Sequence, residues 1–220
     1  MTDTAILRAA GIDCVPFEPY VLAGDKDEVS PSASRAIVRR FLDRVADGIE
    51  FDSIFLASIL NSVPFRQDRE HIVALVASLC SPHTKAFACS ASTTARTHLL
   101  AAGRRNYNKV DAGKAAFSLG YEPNIVLGDF SKLPKAQKYH TVSEWRDLWA
   151  TAFGKVRADS GPSTLVTAIC QEAAVDHDAI QAAIEFEFDL PYPDGSRMGL
   201  VDEAKAAWRS RSEKLTATSL

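Results

Sequence analysis

Apolar side chains recur along this chain at helical spacing in some stretches and as short continuous runs in others. Asp3 to Ala10 carries a short helical pattern, closed by Gly11 as a C-cap. Ile12 to Phe17 is a short apolar run and reads as a strand, which Glu18-Pro19-Tyr20 ends because proline cannot donate to a ladder. Residues 21–30 are polar and read as a loop. Ser30 then serves as N-cap and Pro31 as first helical residue, with Ile37, Phe41, Leu42 and Val45 on one face before Gly48.

The middle of the chain alternates. Phe51 to Ser58 reads as a buried strand, Asp68 to Cys80 as an amphipathic helix and Lys85 to Ser90 as the next strand. Near-continuous apolar strands separated by helices predict a parallel sheet covered on both faces. Thr93 to Ala102 reads as helix, Asn124 to Leu127 as a strand and Leu133 to Tyr139 as a polar loop. Ser143 to Phe153 is helical, with Trp145, Leu148 and Trp149 on one face and Ser143 as its cap. Lys155 to Ala158 and Thr164 to Cys170 form an antiparallel hairpin through the turn at 159–162. Asp176 to Phe186 and Val201 to Ser212 are helical. The expectation is an α/β domain over 1–170, its sheet mostly parallel with a terminal antiparallel hairpin, and a helical extension over 171–220.

Composition narrows the classes. The chain has 220 residues, 46% hydrophobic and 24% charged, which suits a globular fold with a sizeable core. The net charge of −3 excludes a uniformly basic surface. Locally, Arg96 to Lys138 holds eight Lys/Arg against three acids, a basic face or a lysine-rich solvated region. The start Met1-Thr2-Asp3-Thr4 lacks the pattern of a secretion signal, so the expected location is the cytoplasm. Cys14, Cys80, Cys89 and Cys170 form no CxxC pair, and the five histidines show no HxxxH spacing, so no metal site is expected. His177 sits between Asp176 and Asp178 at a helix start, where capping chemistry suffices.

Three places carry candidate chemistry. Glu18 closes the first expected strand, and an acid at a strand's carboxyl end can accept hydrogen bonds from a ribose diol; an exposed carboxylate without a partner is the plain alternative. Asn61 and Ser62 follow the Phe51–Ser58 strand and offer donors and acceptors at the same edge, or simply turn chemistry. Tyr139 and His140 precede the Ser143 helix and read as exposed there.

The order of these segments resembles class I S-adenosylmethionine-dependent methyltransferases from their first helix to their last strand. Asp3, Leu7 and Gly11 look like the family's first helix, Phe51 to Pro64 like its strand-four signature, and residues 143–170 like its closing helix and hairpin. The resemblance covers about 170 residues. It implies a Rossmann-like sheet, S-adenosylmethionine as cofactor and methyl transfer to an acceptor, nucleic acid or small molecule. Glu18 would hold the ribose, and Leu60, Asn61 and Ser62 would line the cofactor. Tyr139 and His140 would face the substrate, His140 as proton acceptor, and Lys135 and Lys138 would contact a phosphate. The family's first strand and its GxGxG loop would precede Asp3, which leaves that strand to an upstream segment, a second copy or a partner chain. No Asn-Pro-Pro-Tyr motif occurs at Asn61-Ser62-Val63-Pro64-Phe65, against amino methylation of DNA. Two other readings stay open: a non-catalytic interaction protein of methyltransferase descent, and a nucleic-acid-binding module.

Overall fold

A computed structural model describes residues 2–23, 28–95, 116–128, 135–161 and 164–218. In chain order its elements begin with α1 (Thr2–Ala9), β1 (Leu22–Ala23), β2 (Glu28–Val29), α2 (Pro31–Ala46) and β3 (Ser53–Ala57). A short 3-10 turn (Leu60–Ser62), α3 (Arg66–Ser78), β4 (Lys85–Ala91), β5 (Ala116–Ser118), β6 (Ile125–Gly128) and β7 (Lys135–Lys138) follow. The chain finishes with α4 (Val142–Trp149), β8 (Phe153–Ser160), β9 (Leu165–Ala173), α5 (His177–Glu187) and α6 (Val201–Thr218). No helix among the described residues is long and apolar enough to cross a membrane.

The chain divides into two compact units, but not at residue 170. One joins Met1–Ile49 to Gln181–Leu220, and the other is Glu50–Ile180. The C-terminal helices are therefore no separate extension: α6 packs on α2, within the unit that the N-terminal residues share.

In the first unit Ser30 caps α2 by accepting from the Ala33 amide at 3.4 Å, and Pro31 occupies the first turn as expected. The buried stripe Ile37, Val38, Phe41, Leu42 and Val45 faces an aromatic cluster. Phe41 lies 4.9 Å from Phe17 and 6.3 Å from Trp208, ring centre to ring centre, while Phe188 touches both Phe17 and Trp208. This corrects the first strand. Residues 12–17 pair with no strand among the described residues, because Phe17 is spent on packing against helical side chains rather than on a ladder.

In the second unit four strands form a sheet of order β3-β4-β9-β8. β3 and β4 are parallel, joined through α3, with Phe55 opposite Phe87. β9 then runs antiparallel between β4 and β8, so β8 points the same way as β3 and β4. The closing hairpin is as expected, but only one of the three pairings is parallel, so the sheet is less parallel than the pattern suggested. A second, antiparallel sheet of order β5-β6-β7 contains a strand at 135–138, where a loop was expected, and one at 116–118 that polar flanks hid. The expected helix from Thr93 begins at residues 93–95, and its remainder lies outside the described residues.

One face of the four-stranded sheet is covered. Ala86, Ala88, Val166, Ala168 and Cys170 meet Val73, Val76 and Ala77 of α3, and Trp145, Leu148 and Trp149 of α4. Burial pushes the Cys170 thiol up to about 12, the behaviour of a small core hydrophobe. The described residues of the other face are exposed or half-buried rather than buried as expected. The cross-strand row Phe55, Phe87 and Ile169 lies there, with Phe55 70% exposed and stacked at 5.1 Å on Phe87.

Gly48 ends α2 at φ +81, and a Cβ there would stand 3.2 Å from Cβ of Lys214. Gly48→Ala should cost about 1 kcal/mol in chemical denaturation, since an L side chain is strained in the left-handed region. An unchanged midpoint would show that this turn relaxes freely.

Candidate functional site

Four segments of the second unit meet at the carboxyl ends of β3, β4 and β8. Ligands of open α/β sheets bind at that edge. After β3, Ser58 takes a left-handed conformation at φ 57, unusual for a residue other than glycine. Its amide donates to the Cys89 carbonyl at 3.0 Å, which anchors the turn to β4. The 3-10 turn follows. Leu60 is 1% exposed and belongs to the core, so it lines no ligand edge. Asn61 and Ser62 remain at the edge, and Asn61 Oδ1 is shielded from solvent with no partner among the described residues.

The next segment is built on charge. Lys138 is 2% exposed, and its ammonium donates to the Pro123 carbonyl at 2.6 Å and meets Glu144 at 2.9 Å and Glu122 at 3.1 Å. An ammonium has three protons, and these three acceptors match them. The expected phosphate contact by Lys138 is thus overturned. The side chain of Lys135 lies outside the described residues. Arg69, equally buried, donates to Glu122 and also to the carbonyls of Val63 and Pro64, each at 2.8 Å. Burial lowers the affinity of its guanidinium for the proton, and Glu122 opposes that. Two cations and two carboxylates close a neutral cluster that holds the chain just after the 3-10 turn.

Glu144 has a second role. Thr141, not Ser143, is the N-cap of α4, and it forms a capping box in which Glu144 accepts from the Thr141 amide at 2.8 Å. Burial alone would raise the Glu144 carboxyl, but the Thr141 amide and Lys138 together hold it below the usual range.

Tyr139 and His140 are not exposed, as the sequence reading had them. They are 3% and 1% exposed. The reason is a strap: the His140 amide donates to the Ala91 carbonyl at 2.9 Å, and the Thr93 amide donates to the His140 carbonyl at 3.1 Å, so the segment extends β4 laterally. The imidazole packs 4.8 Å from the Trp145 ring, and its Nδ1 shares a 3.0 Å hydrogen bond with Ser90 Oγ. Burial foremost, then the charges of Arg69 and Lys138, push its pKa down to about 3. His140 is therefore a neutral hydrogen-bonding group near neutral pH and a weak base.

A cavity of about 140 Å³ opens beside it, bounded by Ser92, Thr94, Thr141, Ser160 and the apolar Leu165 and Val166. Gly161, in the turn after β8, has no room for a side chain: a Cβ would stand 2.7 Å from Thr167 Cγ2. Sequence reasoning missed Ser90, Ser92, Thr94 and Ser160, since isolated hydroxyls carry no motif. It missed Arg69 and Glu122 too, because their pairing spans 53 positions.

Glu18 belongs to the first unit, and Asn61, Ser62, Tyr139 and His140 to the second. Glu18 is exposed, closes no strand, and its carboxylate accepts from the Tyr20 amide at 3.0 Å, a local turn contact.

No family model matches the chain, and no curated protein matches it. Among solved structures it is similar to the PH0226 protein from Pyrococcus horikoshii OT3, at 10% identity and a TM-score of 0.48, over 77% of this chain and 76% of that one. It is also similar to a SAM-dependent methyltransferase from Methanosarcina mazei, at 15% identity and a TM-score of 0.37, over 58% of this chain and 61% of that one. Likenesses this distant leave the family of the chain unassigned.

Two measurements check the site. Lys138→Met should destabilise by about 3 kcal/mol, because Glu122 and Glu144 lose a buried cation. Adding Glu144→Gln, which keeps the capping box, should recover part of that loss, whereas strict additivity would show that the pair is uncoupled. The second is pH. The unfolded chain protonates its imidazole near the ordinary value of 6.5, and the folded chain resists until about 3, so stability falls as pH drops through that window. Between about pH 7 and about pH 5.5 the wild type should lose about 1 kcal/mol more than His140→Gln. Equal losses would mean that His140 is not held neutral.

Proposed function

We propose that this chain takes part in methyl transfer from S-adenosylmethionine to an acceptor bound at the carboxyl edge of the β3-β4-β9-β8 sheet. The observation that carries the reading is the order of the second unit. A parallel β3-α3-β4 unit is followed by α4 and a hairpin whose last strand inserts antiparallel between β4 and β8. That is the closing helix and hairpin which the sequence resemblance leads one to expect over residues 143–170.

Of the residues expected to hold the cofactor, Asn61 and Ser62 fit. They lie at the carboxyl edge, and the shielded Asn61 Oδ1 suits a hydroxyl or amine donor of a ligand. Leu60 does not fit, being core, and Glu18 forms no strand-end carboxylate. When bound, S-adenosylmethionine supplies an electrophilic methyl group. The chain's own residues then contribute position. Arg69 holds the backbone after Asn61 and Ser62, and His140 offers a neutral nitrogen to a polar neighbour. Orientation of this kind is a large source of rate when two groups must meet in line. His140 is too weak a base to remove a proton from an amine or hydroxyl that is poorly acidic, so the acceptor must be nucleophilic without it.

A second reading has its own support. The row of exposed Phe55, half-buried Phe87 and exposed Ile169 favours a non-catalytic interaction protein that keeps the sheet but not the cofactor. The nucleic-acid reading is weakened, because Lys138 is spent inside the fold.

Isothermal titration with S-adenosylmethionine separates the readings. Methyl transfer expects saturable heat, weakened about tenfold by Asn61→Ala, the loss of one good hydrogen bond. No heat at high protein concentration rejects cofactor binding by this chain and leaves the interaction reading.

A further inference from the structure

We infer that the cavity beside His140 binds an uncharged, ring-sized group through hydrogen bonds at its edge, the chemistry shared by a pyrimidine-like heterocycle and a pyranose. Three observations converge. The first is size: about 140 Å³ is close to the volume of cavities that admit one six-membered ring. The second is lining. Ser92, Thr94, Thr141 and Ser160 supply hydroxyl-bearing walls, Val142, Leu165 and Val166 supply apolar ones, and no acid, lysine or arginine is among the described residues that line it. A charged group entering would shed water and find no counter-charge, whereas a neutral polar ring would exchange its hydrogen bonds one for one.

The third is an unmet partner. His140 lines the cavity and is 1% exposed, and its Nε2 has no hydrogen-bond partner among the described residues. Its orientation is not free. Nδ1 is engaged by Ser90 Oγ, the ring rests on Trp145, and its backbone is stitched to Ala91 and Thr93. A buried ring nitrogen left unpaired costs free energy, and a ligand that pairs with it recovers that cost. The cations nearest in effect, Arg69 and Lys138, are committed to Glu122 and Glu144, so they keep the imidazole neutral without offering charge to a ligand. Neutral ring and neutral imidazole match.

The inference does not rest on methyl transfer. Failure of the cofactor titration leaves it standing, and its own failure leaves the cofactor reading standing.

The test uses the full chain and saturation-transfer NMR with four probes: uracil, methyl glucoside and their charged counterparts orotate and glucuronate. At least one neutral ring should bind, and its charged counterpart should bind at least about tenfold more weakly. Which neutral ring binds identifies the source. His140→Phe keeps the aromatic packing and removes the nitrogen, and should weaken that ring about tenfold; Thr94→Val, at the exposed rim, should weaken it about threefold. In the wild type, the imidazole Nε2 resonance should shift on binding. If His140→Phe fails to fold, Thr94→Val and that shift decide. Absence of binding by both neutral rings, equal binding of the charged counterparts, wild-type affinity in the variants, or an unmoved Nε2 resonance would each overturn the inference.

Discussion

Everything at the carboxyl edge of the second unit depends on one buried cluster of charge, in which Lys138 and Arg69 face Glu122 and Glu144. Such charges leave water at a high cost, which attraction offsets only where the geometry is good and further hydrogen bonds satisfy the charged groups. Here the signs cancel, and the three Lys138 protons meet three acceptors. The cluster therefore does what apolar packing cannot: it sets direction. Lys138 ends β7, Arg69 grips the carbonyls of Val63 and Pro64, and Glu144 ties the ammonium to the first turn of α4. Three separate chain segments are held in register by groups that have strong angular preferences.

That arrangement also sets the chemistry of the edge. The cations are consumed in building it, so the surface offered to a ligand beside His140 is polar but uncharged. The imidazole two residues beyond Lys138 is drawn under Trp145, loses its solvent and stays neutral. A histidine that looked like a proton acceptor becomes a fixed hydrogen-bonding group. The same neighbourhood leaves Asn61 Oδ1 and His140 Nε2 as shielded atoms without partners among the described residues.

The two faces of the sheet tell a complementary story. The face toward α3 and α4 is closed by alanines opposite tryptophans, small against large, which brings the helices close to the strands. The opposite face keeps the stacked pair Phe55 and Phe87 beside Ile169. Alternation along β3 marks both faces as apolar, and alternation alone does not say which one is covered.

What the sequence determined by itself was local. Helix caps and periods depend on residues a few positions apart, so Ser30-Pro31, the α3 stripe, the aromatic face of α4, the closing hairpin and the Asp176 cap, which accepts from the Ala179 amide at 2.7 Å, were all legible. Asn61 and Ser62 were legible at their edge for the same reason. Tertiary structure decided the rest. Residues 12–17 have strand character, yet a strand exists only beside another, and Phe17 found helices instead. Lys138 looks like a surface lysine until Glu122 and Glu144 converge on it. His140 looks exposed until a backbone strap to β4 draws it in. In each case the deciding partner lies far along the chain, and burial and charge pairing between distant residues leave no periodic trace in the string of letters.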